Sequence, residues 1–369
     1  MATISKRKDG LFVGVIELGK NENGERLRKS IYDRSEKNLK IRVADIESNI
    51  AKSAYIMPSK MTYSEFISIW FETIKPTIDE ATAQMYSYNI DKIKKYFSGM
   101  KLQDIKPMHI STFYAELLKS YHNNTVRKIH ALVKKSFEKA LINRLIHFNP
   151  VVGVDLPKKE KYHIQDINTD NFNKLIETTK NTFWEMPVTL AALMGLRRGE
   201  VLGLRWSDID IDNKILCIKQ AYAVRKGGCK FKDPKNDGSY RHIVIQDSVI
   251  DIFKRHKLWQ FQNRHKDWVD CGMVISTRIG TPYRPDDFST NFSEMLEKNN
   301  IPHIRYHDLR HFNATMMLKL GISDKMAAAR LGHKQVATLH DIYQHVLTEM
   351  EIEAAQKMDK ILGGKNGGK

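Results

Sequence analysis

Apolar residues recur along this chain in two rhythms. Two short strand-like runs come first, Leu11 to Leu18 and Arg26 to Tyr32, with Asn23-Gly24 between them. A tight-turn dipeptide between two such runs predicts a hairpin. Ser35 then precedes Leu39, Val43, Ile46 and Ile50, which share one face of a helix capped by the serine. From Pro58 onward the rhythm is helical. Thr62-Tyr63-Ser64-Glu65 has the form of a capping box and predicts a helix running to about Lys75. Tyr86, Ile90, Ile93 and Phe97 predict the buried stripe of a second helix. Pro107 opens a third, through Phe113 and Leu117. The fourth places Val126, Ile129, Val133, Phe137 and Ala140 on one face and Arg127, Lys128, Lys134, Lys135 and Lys139 on the other.

Asn149-Pro150 ends this helical run. Val151 to Tyr162, with Pro157, Lys158, Lys159 and Lys161, is expected to be an extended basic linker. Beyond it, Asp170 to Lys180 and Glu185 to Met194 are expected as helices. Ile215 to Val224, a stretch near Lys230 to Lys232, and Tyr240 to Ile245 are expected to form a small antiparallel sheet. Further helices are expected at about 248–266, 286–299, 307–320, 324–331 and 336–343. A last one, from Glu349 to Leu362, carries Met350, Ile352, Ala355, Met358 and Ile361. The expected fold is multidomain and mainly α. It comprises a small N-terminal β-sheet-plus-helix module over 1–55, a four-helix domain over 58–150, a basic linker over 151–164, and a mixed α+β domain with a tail over 165–369.

Composition narrows the partners. The 369 residues carry a formal net charge of +17, which favours a polyanion, and double-stranded DNA is the natural one. The three cysteines, Cys217, Cys229 and Cys271, form no C-x-x-C pair, so a disulfide framework or zinc knuckle is not expected and a reducing cytoplasm is. The first ten residues lack the apolar segment of a signal peptide. The longest apolar stretch, around Met186 to Leu196, is too short to span a bilayer.

Candidate chemistry concentrates in the C-terminal half. His307 and Arg310 stand three apart in Arg305-Tyr306-His307-Asp308-Leu309-Arg310-His311, one helix face. Leu331-Gly332-His333 follows, and Tyr343 lies ten residues after His333. A tyrosine near arginine and histidine suits attack on a phosphodiester, with cations neutralising the phosphate and a covalent intermediate forming. A second arginine is available in Gly195-Leu196-Arg197-Arg198-Gly199-Glu200. His303, His307 and His311 recur every four residues, but no H-E-x-x-H arrangement lies between them, and Pro302 separates His303 from the helix. No Gly-rich phosphate loop and no acidic triad for two-metal chemistry is evident, so neither cofactor nor metal is expected.

Taken in order, G-L-R-R-G-E-V-L-G-L-R-W, H-D-L-R-H, L-G-H and D-I-Y-Q-H resemble the tyrosine recombinase (lambda-integrase-like) family, most of all the integrases of phages and integrative conjugative elements. The resemblance is tight from Gly195 to His345 and extends to the N-terminal half by layout. It implies Arg197 as the first catalytic arginine with Glu200 as its acidic companion, and Arg198 as a mere neighbour. It implies His307 and Arg310 in the second box, His333 as the third basic position, and Tyr343 as nucleophile. A catalytic lysine on a hairpin between the boxes is also implied. Within Pro234 to Ile245 this is Lys235, with Lys232 as the alternative, because hairpin register is not fixed by sequence.

The resemblance further implies site-specific cleavage and rejoining of DNA through a 3′-phosphotyrosine, integrating or excising a mobile element. Residues 1–55 would bind arm sites and 58–150 would clamp the core site. A homotetramer would assemble on DNA with the tail docked on a neighbour, and a DNA-bending factor or excisionase could assist. Other functions remain open at this stage: a chromosome-dimer-resolving recombinase, a non-catalytic architectural DNA-binding protein, and a type IB topoisomerase-like enzyme.

Overall fold

The structure is a computed structural model that describes residues 2–20, 26–52, 55–160, 169–225, 227–232 and 240–332. It divides into two compact units, residues 1–161 and 162–369. The first unit begins with three antiparallel strands, β1 (Thr3–Lys6), β2 (Phe12–Lys20) and β3 (Arg26–Asp33), with β2 in the middle. Helix α1 (Glu36–Ala51) starts at Ser35, whose hydroxyl accepts the Asn38 N–H at 3.4 Å. It covers one face of the sheet, where Ile16, Ile31, Leu39 and Val43 form a small core. Glycine at 14 permits the close approach: a Cβ there would lie 2.8 Å from a Val43 methyl. The two expected strands and the helix are present, and the Asn23-Gly24 turn lies outside the described residues. The edge strand β1 was not expected, because its four residues carry one apolar side chain and show no alternation to read.

Four helices follow: α2 (Tyr63–Ile74), α3 (Glu80–Tyr96), α4 (Pro107–Leu118) and α5 (Asn123–Ile142). The capping box at Thr62 is formed, with Thr62 N–H donating to Glu65 at 2.8 Å and Glu65 N–H to the Thr62 hydroxyl at 3.2 Å. Tyr63, Phe97, Phe113 and Phe137 fill the centre; Tyr63 stacks on Phe137 at 4.4 Å. The buried phenol keeps a partner, the Ser136 hydroxyl at 2.7 Å. Along α5 the expected apolar stripe is buried, and Lys128, Lys134, Lys135 and Lys139 are exposed. The stretch after Pro150 is extended but lashed down. Val151 is buried, Arg127 and Asn123 donate to the carbonyls of Pro157 (2.8 Å) and Lys158 (3.1 Å), and Asn124 to that of Glu160 (2.9 Å). A segment read as a linker is therefore part of the helical unit up to residue 160.

The second unit contains α6 (Thr169–Thr179), α7 (Glu185–Ala192), α8 (Arg198–Gly203), α9 (Asp247–Gln262), α10 (Pro285–Lys298), α11 (Tyr306–Lys319) and α12 (Asp324–Leu331). Its strands are β4 (Ile209–Asp210), β5 (Ile215–Ile218), β6 (Ala221–Arg225), β7 (Gly228–Lys232) and β8 (Arg241–Val244). Helix α7 is buried from Met186 to Ala192, as expected for a helix apolar on every side. One expectation is corrected here. The run from 215 to 224 is two strands, not one. β5 joins a sheet ordered β4-β5-β8, while β6 pairs with β7 as a separate hairpin. At the break, Gln220 donates to the Gly203 carbonyl at 2.8 Å and Lys219 pairs with Asp208 at 3.3 Å. Lys219 and Gln220 interrupt the apolar run only briefly, and their contacts with Asp208 and with Gly203 of α8 fix the break there.

Candidate active site

The loop before α8 turns on Gly195, which has φ +72°. Its carbonyl points into the unit, and Leu196 N–H returns to the Leu190 carbonyl at 2.9 Å. Arg197 then caps α8 in an extended conformation. Its N–H donates to Glu200 Oε2 at 2.9 Å and its guanidinium to Oε1 at 2.8 Å. Six residues with glycine at both 199 and 203 form a poor helix in isolation. Those glycines have another use. A Cβ at either would come to 3.0–3.1 Å from the backbone of Ala221 or Tyr222, so they let β6 lie directly against α8. The β6–β7 hairpin, which ends at Lys232, is thereby fixed against α8, the helix that Arg197 caps. Arg198 turns the other way and holds α10 through Pro285 O (3.1 Å) and the Ser289 hydroxyl (2.6 Å), consistent with its place as the neighbour of the first box.

Helix α11 opens with the same device. Arg305 caps it and clasps Asp308, as Arg197 clasps Glu200. The helix is tied to α7 by Tyr306 OH on Pro187 O at 2.6 Å and by Asn313 on Ala192 O at 3.0 Å. Arg310 is then carried inward and is only 3 % exposed; its guanidinium donates to the carbonyls of Gly195 and Leu331. His307 lies on the same face and keeps a solvent-exposed edge.

Three arginines meet at the end of α12. Arg241 Nε donates to the Arg330 carbonyl at 2.8 Å, Arg310 to that of Leu331, and Arg197 Nη2 to that of Gly332 at 2.9 Å. A helix C-terminus presents unpaired carbonyls and partial negative charge, which cations satisfy. Gly332 ends the helix at φ +66°, so the chain continues toward His333 from a point beside Arg197. The same three guanidiniums surround Glu200. Arg241 is bidentate on it at 3.0 and 2.8 Å, Arg197 lies at 2.8 Å and Arg310 at 3.9 Å. Burial pushes the Glu200 carboxyl up, but Arg241, then Arg197 and Arg310, outweigh this and hold it at about 2. One carboxylate against three guanidiniums leaves excess positive charge at a rim where Arg197 is about one-third exposed (36 %). This arrangement suits a phosphate anion.

Arg241 had no assigned role in the sequence. The signal was there: Arg241, Ile243 and Ile245 share the buried face of one strand, and an arginine on such a face requires a carboxylate. His307 is pushed down to about 4, first by desolvation, then by His311 and Arg310, with Asp308 opposing. His311, its ring 5.0 Å away and edge-on, is lowered as well. His307 is thus neutral near pH 7, able to accept or pass a proton beside the arginines. Among the described residues no group of three or more His, Cys, Asp or Glu is placed to hold a metal. Arg197, His307 and Arg310 are therefore brought together. Lys235, His333 and Tyr343 lie outside the described residues, as do the expected 336–343 and 349–362 helices, while the alternative lysine, Lys232, stands at the end of β7.

The sequence pattern described as "Phage integrase family" matches residues 165–350, and that of the "Phage integrase, N-terminal SAM-like domain" matches 62–118. The chain belongs to the phage integrase family. It is a tyrosine-type site-specific recombinase. A "Tyrosine recombinase XerC-like" protein of Caldanaerobacter subterraneus subsp. tengcongensis is 26 % identical over 94 % of this chain and 95 % of its own. The ICEBs1 integrase of Bacillus subtilis is 24 % identical over 98 % of this chain and its own full length. The fold matches the Tn1549 transposon integrase solved with transposon right-end DNA, with a TM-score of 0.68, 17 % identity and coverage of 80 % of this chain and all of that one. It also matches a lambda integrase dimer bound to a core site, with a TM-score of 0.60, 17 % identity and coverage of 92 % and 94 %. Family membership gives the arginine cluster its chemical context. Among the described residues, the Gly195–Glu200 segment, the His307–Arg310 segment and Leu331-Gly332 converge on Glu200 and the end of α12. Among the described residues no helix is long and apolar enough to cross a membrane.

Proposed function

We propose that this recombinase cuts DNA with Tyr343, the cluster of Arg197, His307 and Arg310 receiving the scissile phosphate. The observation that carries the reading is the convergence of Arg197 and Arg310 on Glu200, with His307 on the Arg310 face of α11 and the chain leaving toward His333 beside Arg197. The Tyr343 oxygen attacks phosphorus and the bond to the 5′ oxygen breaks, leaving a 3′-phosphotyrosine. The phenol gives up its proton, and the leaving 5′ oxygen gains one from Lys235, with Lys232 as the alternative donor. Arg197 and Arg310 stabilise the pentacoordinate phosphorane, the planar guanidinium fork matching its oxygens. His307, uncharged, assists proton transfer, and His333 donates a hydrogen bond to the phosphate. Attack by a free 5′ hydroxyl reverses the step and rejoins the strand, so no cofactor or metal is consumed.

In this reading residues 165–369 are the catalytic domain and 58–150 clamp the opposite side of a core site with the lysine face of α5. Residues 151–160 belong with the helical unit and lead through 161–164 to the catalytic domain, and 1–55 bind arm sites. The arm-site role is supported by the face of the β1–β3 sheet opposite α1, where Thr3, Ser5, Arg26, Arg28, Ser30 and Tyr32 are exposed. Lambda integrase has been solved as a tetramer bound to a Holliday junction. The same assembly is proposed here, acting in the cytoplasm on element and chromosome DNA, with a DNA-bending factor or excisionase as a further partner. The test is Tyr343→Phe on duplexes taken from the DNA flanking the gene. Retained binding with no denaturation-resistant adduct is expected, and an adduct from the variant would refute the assignment.

A further inference from the structure

Arg241 is buried, and its hydrogen bonds to Glu200 and to the Arg330 carbonyl join β8 to α8 and to the end of α12. Burying an arginine and a glutamate together is a poor way to gain stability, since an apolar pair of similar size does as well or better. Its placement is what distinguishes it. β8 is the strand that follows the residues carrying Lys235, and it is fixed by pairing with β5, Arg241 opposite Ile218. Glu200 has two oxygens and three arginine neighbours. With Arg241 bidentate on it, Arg197 shares one oxygen and Arg310 stays at 3.9 Å. The fit against α12 is tight, since a Cβ on Gly332 would stand 3.0 Å from Arg241 Nη1.

We propose that Arg241 is a positioning residue for DNA cleavage: it saturates Glu200, so that the carboxylate does not draw Arg197 and Arg310 away from the phosphate, and it clamps the end of α12 from which His333 follows. The inference rests on Arg197 and Arg310 acting on the phosphate. Removing Arg241 leaves a buried carboxylate whose oxygens turn to the two remaining guanidiniums. Those forks then sit on Glu200 rather than on DNA. Glu200→Gln in the same background removes the pull and frees them again. The pair is thus expected to show rescue rather than additive loss.

The experiment compares wild type, R241M, R241K and the E200Q/R241M double variant as full chains. The probes are nicked duplexes from the DNA flanking the gene, which trap the covalent adduct. Single-turnover adduct formation, gel-shift midpoint and thermal melting are read on the same preparations. R241M is expected to lose about 100-fold in rate, the scale of a misplaced catalytic group, with its gel-shift midpoint unchanged. R241K, which keeps the charge but not the fork, falls between R241M and wild type. The double variant is expected to be about tenfold faster than R241M. The pH profile gives a separate signature. Glu200 faces Arg197, Arg241 and Arg310, and its largest lowering contributions come from Arg241. In R241M its carboxyl rises, so acid neutralises it at a higher pH than in wild type and, as in the double variant, the R241M rate relative to wild type recovers as pH falls. An R241M rate equal to wild type overturns the proposal. So does a loss that merely tracks melting or affinity, or a double variant slower than R241M. Should R241M not fold, R241K carries the rate and affinity comparison, and a rate equal to wild type overturns the proposal in the same way. If wild type itself forms no adduct on any flanking duplex, the proposed chemistry fails first and this inference with it.

Discussion

Gly195→Ala tests whether the loop before α8 is built as described. Gly195 has φ +72°, where a Cβ strains any L residue, by about 1–2 kcal/mol. A Cβ there would also lie 2.7 Å from both Asn313 Oδ1 and a Leu331 methyl. Neither neighbour can swing aside. Leu331 is fully buried, and Asn313 is held by its bond to the Ala192 carbonyl. Crowding of this kind adds about 1–3 kcal/mol, for a total of about 2–5 kcal/mol. Gly321→Ala is the matched control in the same unit. Its φ is +71° with nothing within 4 Å of the added Cβ, so only the conformational cost of about 1–2 kcal/mol applies. At about 3 °C per kcal/mol for a unit of this size, G321A should lower the melting temperature by about 3–6 °C and G195A by about 6–15 °C. Tryptophan fluorescence suits the assay, because Trp184, Trp206, Trp259 and Trp268 all lie in this unit and only Trp70 lies in the other. G195A should also slow cleavage, since the Gly195 carbonyl seats Arg310. Equal melting shifts for the two variants would refute the packing described around Gly195.

Arg197→Ala should reduce adduct formation by about 10²–10³-fold while shifting the gel-shift midpoint little, because the donor acts mainly in the transition state; equal losses in rate and affinity would mark a binding role alone. Arg310→Ala should show the same kinetic loss together with a lower melting temperature, since it leaves the buried Gly195 and Leu331 carbonyls without their donor. Acid should weaken the catalytic unit through His256, which burial lowers to about 4. A histidine depressed in the folded state contributes stability above its unfolded value of about 6.5 and loses it as pH falls toward 4, here about 3 kcal/mol, so His256→Gln should flatten the stability curve over that window; an unchanged slope would contradict it. Deleting residues 1–55 should leave cleavage of a short core duplex intact and abolish recombination that depends on flanking arm DNA, with the isolated fragment binding a flank duplex in a strongly salt-dependent way; full recombination by the truncated chain would refute the arm-site role.

Much of this architecture was legible before any coordinates. Long amphipathic stripes fixed α2 to α5, because seven buried side chains on α5 recur at helical spacing and cannot be read otherwise. The Thr62 capping box and the His307–Arg310 face were legible for the same local reason. What failed to show is set by tertiary contact. Helix α8 hides behind two glycines that weaken it in isolation and are explained only by the β6 backbone lying on them. The division of β5 from β6 falls at Lys219-Gln220, an interruption too short to mark a change of sheet without the contacts to Asp208 and Gly203. Arg241 was written in the alternation of β8, but its partner Glu200 is 41 residues away and on another element. Residue types and order gave the chemistry, whereas the way three arginines share one carboxylate and one helix end required the fold.

The central claim is that Tyr343 becomes joined to DNA. Wild-type protein trapped on a nicked flanking duplex can be digested with trypsin and the DNA-linked peptide sequenced by mass spectrometry. Residues 335–357 form one tryptic peptide, bounded by Lys334 and Lys357, and Tyr343 is its only tyrosine. The account predicts that this peptide carries the nucleotide, attached at Tyr343 through a 3′ phosphate. Attachment at another tyrosine, through a serine, or at a 5′ phosphate would contradict it.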